Sequence, residues 1–178
     1  LGLVDTPETR AIWPQSFTLA LEITVGNSLN LELVTCNTGT QAFSITQAFH
    51  TYFKVGDISQ TSALGLEGID YIDKTDNSAQ KHQSGAVTIN TEVDRIYLGV
   101  QGELVIADAA LKRRIRIASR GSKTAVVWNP WAKISAEMGD LQDDDYRCLL
   151  CVETTNAATD VVEIAPNSEF RLVANYRV

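Results

Sequence analysis

Phe17-Thr18-Leu19-Ala20-Leu21-Glu22-Ile23-Thr24-Val25 is the stretch whose reading decides the fold. Large apolar side chains at every second position alternate with Thr18, Ala20, Glu22 and Thr24, the period of a strand with one face buried. Gly26-Asn27-Ser28 then turns the chain, and Leu29, Leu31 and Leu33 resume the alternation. Asn37-Thr38-Gly39 makes a second turn, and a third run leads from Phe43 to His50. Three strands in succession predict an antiparallel meander.

Upstream, Leu1 to Pro14 has no strong period, and Pro7 and Pro14 punctuate it as an irregular lead-in. Downstream, Lys54 to Ser62 carries Gly56-Asp57, and Ala63 to Gly85 is polar, the composition of long loops at one end of a sheet. Ala86 to Ile89 is a short strand candidate, and Leu104 to Ala107 with Leu111 to Ala118 reads as a hairpin. Thr124 to Trp128 is a compact strand stopped by Asn129-Pro130-Trp131, because proline has no ladder donor. Ala132 to Gly139 has room for one or two helical turns. Cys148 to Val152 is a nearly continuous apolar run, as in a strand buried on both faces, and Val161 to Pro166 and Phe170 to Val178 add two strands. Nine or ten strands with almost no helix predict an all-β sandwich, residues 1–178 forming a single domain.

The composition bounds the partners. A chain of 178 residues, 44% hydrophobic and 21% charged, can bury a sizeable core. Its formal net charge of −7 argues against a nucleic-acid or anionic-membrane binder, which leaves small molecules. No apolar run approaches the roughly 20 residues that span a bilayer, and no signal-peptide order opens the chain, so a cytoplasmic location is expected. Three cysteines without framework spacing fit a reducing compartment. The basic cluster Lys112, Arg113, Arg114, Arg116, Arg120 and Lys123 reads as a solvated outer sheet face, an anion site being the other reading. Asp140 and Asp143 to Asp145 lack the spaced ligands of a calcium loop and read as a solvated acidic loop.

Two residues are candidates for chemistry. In the run from Phe43, alternation sends Phe43, Ile45 and Phe49 to one face and Ser44, Thr46, Ala48 and His50 to the other. His50 therefore leaves the greasy face, where small neighbours leave room for a ligand, although a lone histidine can also be a satisfied core residue. Glu153 ends the apolar Cys148 to Val152 run, and a carboxylate there calls for a partner or a task, because burying an unpaired charge costs several kcal/mol. Asp94 and Arg95 point to opposite faces of their strand, so one of them can face a site. His82, between Lys81 and Gln83, reads as a solvated loop residue. Cys148 and Cys151 have C-x-x-C spacing without a second pair or a nearby histidine, so they read as small core residues and no metal site is expected.

The stretches Phe49-His50-Thr51-Tyr52-Phe53, Glu92-Val93-Asp94-Arg95, Trp128-Asn129-Pro130 and Cys151-Val152-Glu153, in this order, resemble the aldose 1-epimerase superfamily, and within it the hexose-6-phosphate mutarotase branch. Asp5 to Arg10 with Trp13-Pro14 carries the resemblance to the start of the chain. It implies a galactose-mutarotase-like β-sandwich, or supersandwich, with His50 as catalytic histidine, Glu153 as catalytic carboxylate and Asp94 as a sugar-binding carboxylate. It implies a sugar or sugar-phosphate substrate, interconverted between anomers by ring opening and closure, without cofactor or metal. In that reading Glu153 and His50 stand on opposite sides of the hemiacetal. Tyr52, Phe53 and Trp128 either stack on the sugar or fill the core, and core is the expectation.

Members of that branch are longer. The resemblance places this chain in the C-terminal part of the family domain, with no counterpart before Leu1 for the N-terminal strands and their phosphate-gripping arginines. Sheet edges left open in this way invite self-association. Two other readings remain at this level: a carbohydrate-binding sandwich that turns nothing over, and a purely structural fragment with His50 held by a fixed backbone partner.

Overall fold

The computed structural model describes residues 1–178. The chain opens with β1 (Gly2–Val4) and helix α1 (Pro7–Ile12), followed by the long hairpin β2 (Phe17–Val25) and β3 (Leu29–Asn37). Three short strands come next, β4 (Phe43–Ile45), β5 (Gln47–Phe49) and β6 (Tyr52–Lys54). Then follow β7 (Thr61–Leu64), β8 (Asp70–Asp73), β9 (Ala79–His82), β10 (Val87–Thr88) and β11 (Val93–Leu98). β12 (Leu104–Asp108), β13 (Arg113–Arg120) and β14 (Thr124–Asn129) precede helix α2 (Trp131–Glu137), and β15 (Leu149–Asn156), β16 (Val162–Ile164) and β17 (Glu169–Arg177) complete the chain.

The strands form two large antiparallel sheets. An eight-stranded sheet runs β1-β2-β3-β17-β13-β12-β7-β10, and a second runs β5-β15-β14-β11-β8-β9 with β6 also on β15. Between them lies the main core: Ile106, Ile115, Ile117, Ala174 and Tyr176 from the first sheet meet Phe53, Tyr97, Val127, Leu150 and Val152 from the second. Burial of these alternating residues is the chief stabilising term, at roughly 25 cal/mol per Å² of apolar surface. Leu149 to Val152 are buried, as the apolar run predicts, and burial continues through Glu153 to Asn156, whereas Cys148 at the start of the run is exposed.

Several expectations are corrected. The meander stops after two strands, because β3 takes the C-terminal β17 as its other neighbour. The third run is split: Phe43 and Ile45 pair with β16 in a separate two-stranded sheet, where Phe43 joins Phe17, Val162 and Ile164 in a small second core. The lead-in is not irregular, since Thr6 caps α1 through a reciprocal Thr6–Thr9 box with Pro7 in the first turn. The polar stretch from Ala63 to Gly85 holds β8 and β9, polar because β9 is a sheet edge with ion pairs from Lys81 to Asp73 and Asp76. Short strands of this kind bring the total to seventeen.

One face remains open. Register carries the core face of β17 outward onto β3 and β2, through Tyr176–Leu29–Val25, Ala174–Leu31–Ile23 and Leu172–Leu33–Leu21. The second sheet does not reach this end, so Ile23 and Val25 stay 51% and 79% exposed. On the reverse side of the same strands Arg171 is paired with Glu22, Glu32 and Glu169.

Candidate functional site

β5 and β6 pair with the two ends of β15 in one continuous register, Phe49 opposite Thr154 and Tyr52 opposite Cys151. The ladder is interrupted only at His50 and Thr51, and carrying the register across that gap sets His50 against Glu153. The gap is shaped locally: the Thr51 N–H donates to the Phe49 carbonyl at 2.9 Å, a tight three-residue turn. Thr51 points inward, where its hydroxyl meets the Tyr176 hydroxyl at 2.8 Å. Phe49 and Phe53 face the core on either side of it. His50 is thereby pushed to the outer face, as alternation predicts.

The outer face of this sheet gathers the polar chemistry. Cys151 lies opposite both Tyr52 and Trp128, and Trp128 lies opposite Asp94, so Tyr52, Cys151, Trp128 and Asp94 form one row across four strands. Glu153 stands on β15 two residues beyond Cys151, on the same face. His50 Nε2 lies 3.3 Å from Glu153 Oε1, with the imidazole half-exposed and the carboxylate 4% exposed. The Tyr52 ring stacks on His50 at 5.0 Å and 17°, while Trp128 meets it edge-on at 5.8 Å. These rings fix the imidazole plane on two sides.

Burial raises the Glu153 carboxyl to about 7, and the neighbouring Asp94 carboxylate adds to the effect. Asp94 is itself raised by burial, against the pull of Lys74. A carboxyl raised this far can exchange its proton near neutral pH. The Cys151 thiol is held up by burial and by Glu153. The ligand atoms of His50, Cys151 and Glu153 all lie within 4.8 Å of one another.

His50, Glu153 and Asp94 thus share one open face, and His50 has a side-chain carboxylate rather than a backbone group as its partner. Against expectation, Tyr52 and Trp128 belong to this face; only Phe53 is core. His82 is exposed, as read, yet sits on β9 with Nδ1 at 2.7 Å from Asp70, remote from this row in the strand order. Cys151 is buried but Cys148 is exposed, and the histidine that sequence could not set beside Cys151 is His50. Arg114 and Arg116 project from β13 to solvent, and Arg113 turns back to the buried Asp108. The acidic segment ends in a short 3₁₀ turn, Asp145–Cys148, whose Arg147 pairs with Asp144. No helix is long and apolar enough to cross a membrane.

The model of the aldose 1-epimerase family matches residues 1–177. A protein of Cenchrus ciliaris named "Putative glucose-6-phosphate 1-epimerase" is 37% identical over 176 residues, covering 96% of this chain and 53% of its own length. One of the same name from Escherichia coli strain K12 is 38% identical over 157 residues, 88% of this chain and 52% of its own. The chain spans about half the length of the curated relatives it matches. The crystal structure of "a putative mutarotase" from Salmonella typhimurium superposes with a TM-score of 0.90 at 34% identity, covering 99% of this chain and 58% of that one. A "galactose mutarotase related enzyme" from Lactobacillus acidophilus, at 12% identity and a TM-score of 0.77 over 99% of this chain and 66% of that one, shares the fold. The expected galactose-mutarotase-like sandwich is the fold observed.

Proposed function

The chain belongs to the aldose 1-epimerase family, and from that membership we infer that it carries the acid–base pair of a mutarotase acting on a hexose 6-phosphate, with Glu153 and His50 as the pair. The observation that supports this reading is the 3.3 Å approach of His50 Nε2 to Glu153 Oε1 on an open sheet face beside Asp94. The 178 residues act as part of the larger family domain.

The reaction needs a proton taken from the anomeric O1 hydroxyl and another delivered to the ring oxygen O5. Both oxygens are bonded to C1, and His50 and Glu153, 3.3 Å apart, reach them from one side of the hemiacetal and not from opposite sides as expected. The Glu153 carboxylate removes the O1 proton as the C1–O5 bond breaks, and the His50 imidazolium protonates the departing O5. An aldehyde results at C1. Rotation about C1–C2 presents its other face to the O5 hydroxyl, and closure returns one proton to His50 and the other from Glu153 to O1. Burial, which brings Glu153 to about 7, places its affinity for protons between the two halves of this cycle. Asp94 accepts hydrogen bonds from ring hydroxyls, and Tyr52 with Trp128 offers an apolar wall to the sugar's C–H face.

The test is anomeric exchange of glucose 6-phosphate followed by NMR, with the chain and with His50→Asn and Glu153→Gln. Acceleration lost in both variants supports the pair. Tight sugar binding without acceleration would favour the non-catalytic carbohydrate-binding reading instead.

A further inference from the structure

Cys151 is not needed by the proton transfers, yet its thiol is fully buried under the acid–base pair. Neither its sulfur nor the Glu153 carboxylate receives a hydrogen bond from any backbone N–H or hydroxyl, and His50 is the group that contacts the carboxylate. A carboxylate this deeply buried, aimed at an open face and met by a single imidazole, has coordination to spare. We propose that His50, Cys151 and Glu153 form a zinc site that binds Zn²⁺ in competition with the sugar.

The donor set and the spacing both point to this ion. Zn²⁺ takes nitrogen and oxygen ligands at about 2.0–2.2 Å and sulfur at about 2.3 Å, so tetrahedral ligand atoms stand about 3.3–3.7 Å apart. The His50–Glu153 separation of 3.3 Å already has that value, and the three ligand atoms lie within 4.8 Å. Side-chain rotation of Cys151 and His50 closes the remaining gap of about 1 Å. Sulfur with imidazole selects zinc over magnesium or calcium, and three protein ligands leave the fourth position to water. Half-exposed His50 forms the mouth of the site and gives the ion its path in.

Asp94 stands on the same face through Trp128 and adds a further carboxylate beside the three ligands. On binding, the Cys151 thiol releases its proton to solvent and coordinates as thiolate, Glu153 coordinates as carboxylate, and His50 gives up any Nε2 proton to offer its lone pair. The bound ion withdraws both groups assigned to the sugar's protons. Inhibition therefore rests on the acid–base reading, whereas zinc binding stands without it.

The deciding experiment titrates the chain with ZnCl₂ by calorimetry in buffers of different ionisation enthalpy, and with Co²⁺ while thiolate-to-metal charge-transfer absorption is recorded. One site is expected, with proton release, binding weakened about tenfold or more in His50→Asn and the absorption band lost in Cys151→Ser. His50 is half-exposed, so His50→Asn keeps the fold even if Cys151→Ser does not. The double variant Cys36→Ser/Cys148→Ser should bind as the parent does. Binding unchanged in His50→Asn, or a band that disappears with Cys36 and Cys148, overturns the proposal. No sugar enters these titrations, so their failure and a failure of the mutarotase reading are separate results.

Discussion

His50 Nε2 stands 3.3 Å from Glu153 Oε1 because two short strands, β5 and β6, keep one register along β15 and leave His50 at the break. If the two groups work as a unit, their losses do not add. His50→Asn and Glu153→Gln should each lower anomeric exchange of glucose 6-phosphate by about 100-fold or more, and the double variant by little beyond the worse single. NMR exchange rates for the three variants check this, and additive losses would separate the residues' roles.

Burying Glu153 has a cost that depends on pH. Its folded carboxyl is raised to about 7 from an ordinary 4.5, so the folded state holds the proton more tightly than the unfolded chain does. The penalty is absent below the unfolded value, grows as pH rises between the two, and is complete above about 7. Glu153→Gln removes it. Facing His50, Tyr52, Asp94 and Cys151, the variant should be more stable than the parent by on the order of 2 kcal/mol at pH 8, with the difference shrinking towards pH 5. Urea melts at both pH values, with a chelator present, read the change, and a constant difference would contradict it.

The Thr51–Tyr176 contact of 2.8 Å ties the break to the core. Tyr176→Phe leaves the Thr51 hydroxyl without that partner and should cost about 1 kcal/mol in stability. It should also broaden the His50 ring-proton NMR signals and lower kcat more than it raises KM, because the imidazole is then less firmly placed.

Gly121 sits at φ +77, where an added Cβ would meet the Arg171 carbonyl oxygen at 2.2 Å. Arg171 is held in β17 by its pairing with β3, and Gly121 follows directly on β13, so neither backbone can give way cheaply. Gly121→Ala should destabilise the fold by about 3 kcal/mol or more, measured as a lowered urea midpoint.

The uncovered core-side face of β2 and β3 bears on self-association. Ile23→Lys with Val25→Lys changes side chains already in water, so the fold should keep its melting midpoint. The same change should lower concentration-dependent association in light scattering. A parent chain that is monomeric at every concentration would show that this face attracts no second copy.

Period two in the sequence settled which face each strand residue takes, since that is fixed within a few residues by the backbone itself. His50 outward with Phe49 inward, the β12–β13 hairpin and the all-β class follow from it, and the burial of Leu149 to Val152 follows from their unbroken apolar run. The stretches around positions 50, 94 and 153 also carried the resemblance to the family whose model matches the chain. At the N-terminus the helix also has a local signal, since Thr6-Pro7-Glu8-Thr9 has the spacing of a helix cap. Alternation carries no information about which strand lies beside which. That β17 returns to β3, that one edge beside β15 is made of two strands with a break between them, and that Tyr52, Trp128 and Cys151 join His50 and Glu153 on one face are outcomes of long-range pairing. Pairing is chosen by the burial of both sheets together, an energy no single stretch contains, and so only the tertiary structure decided it.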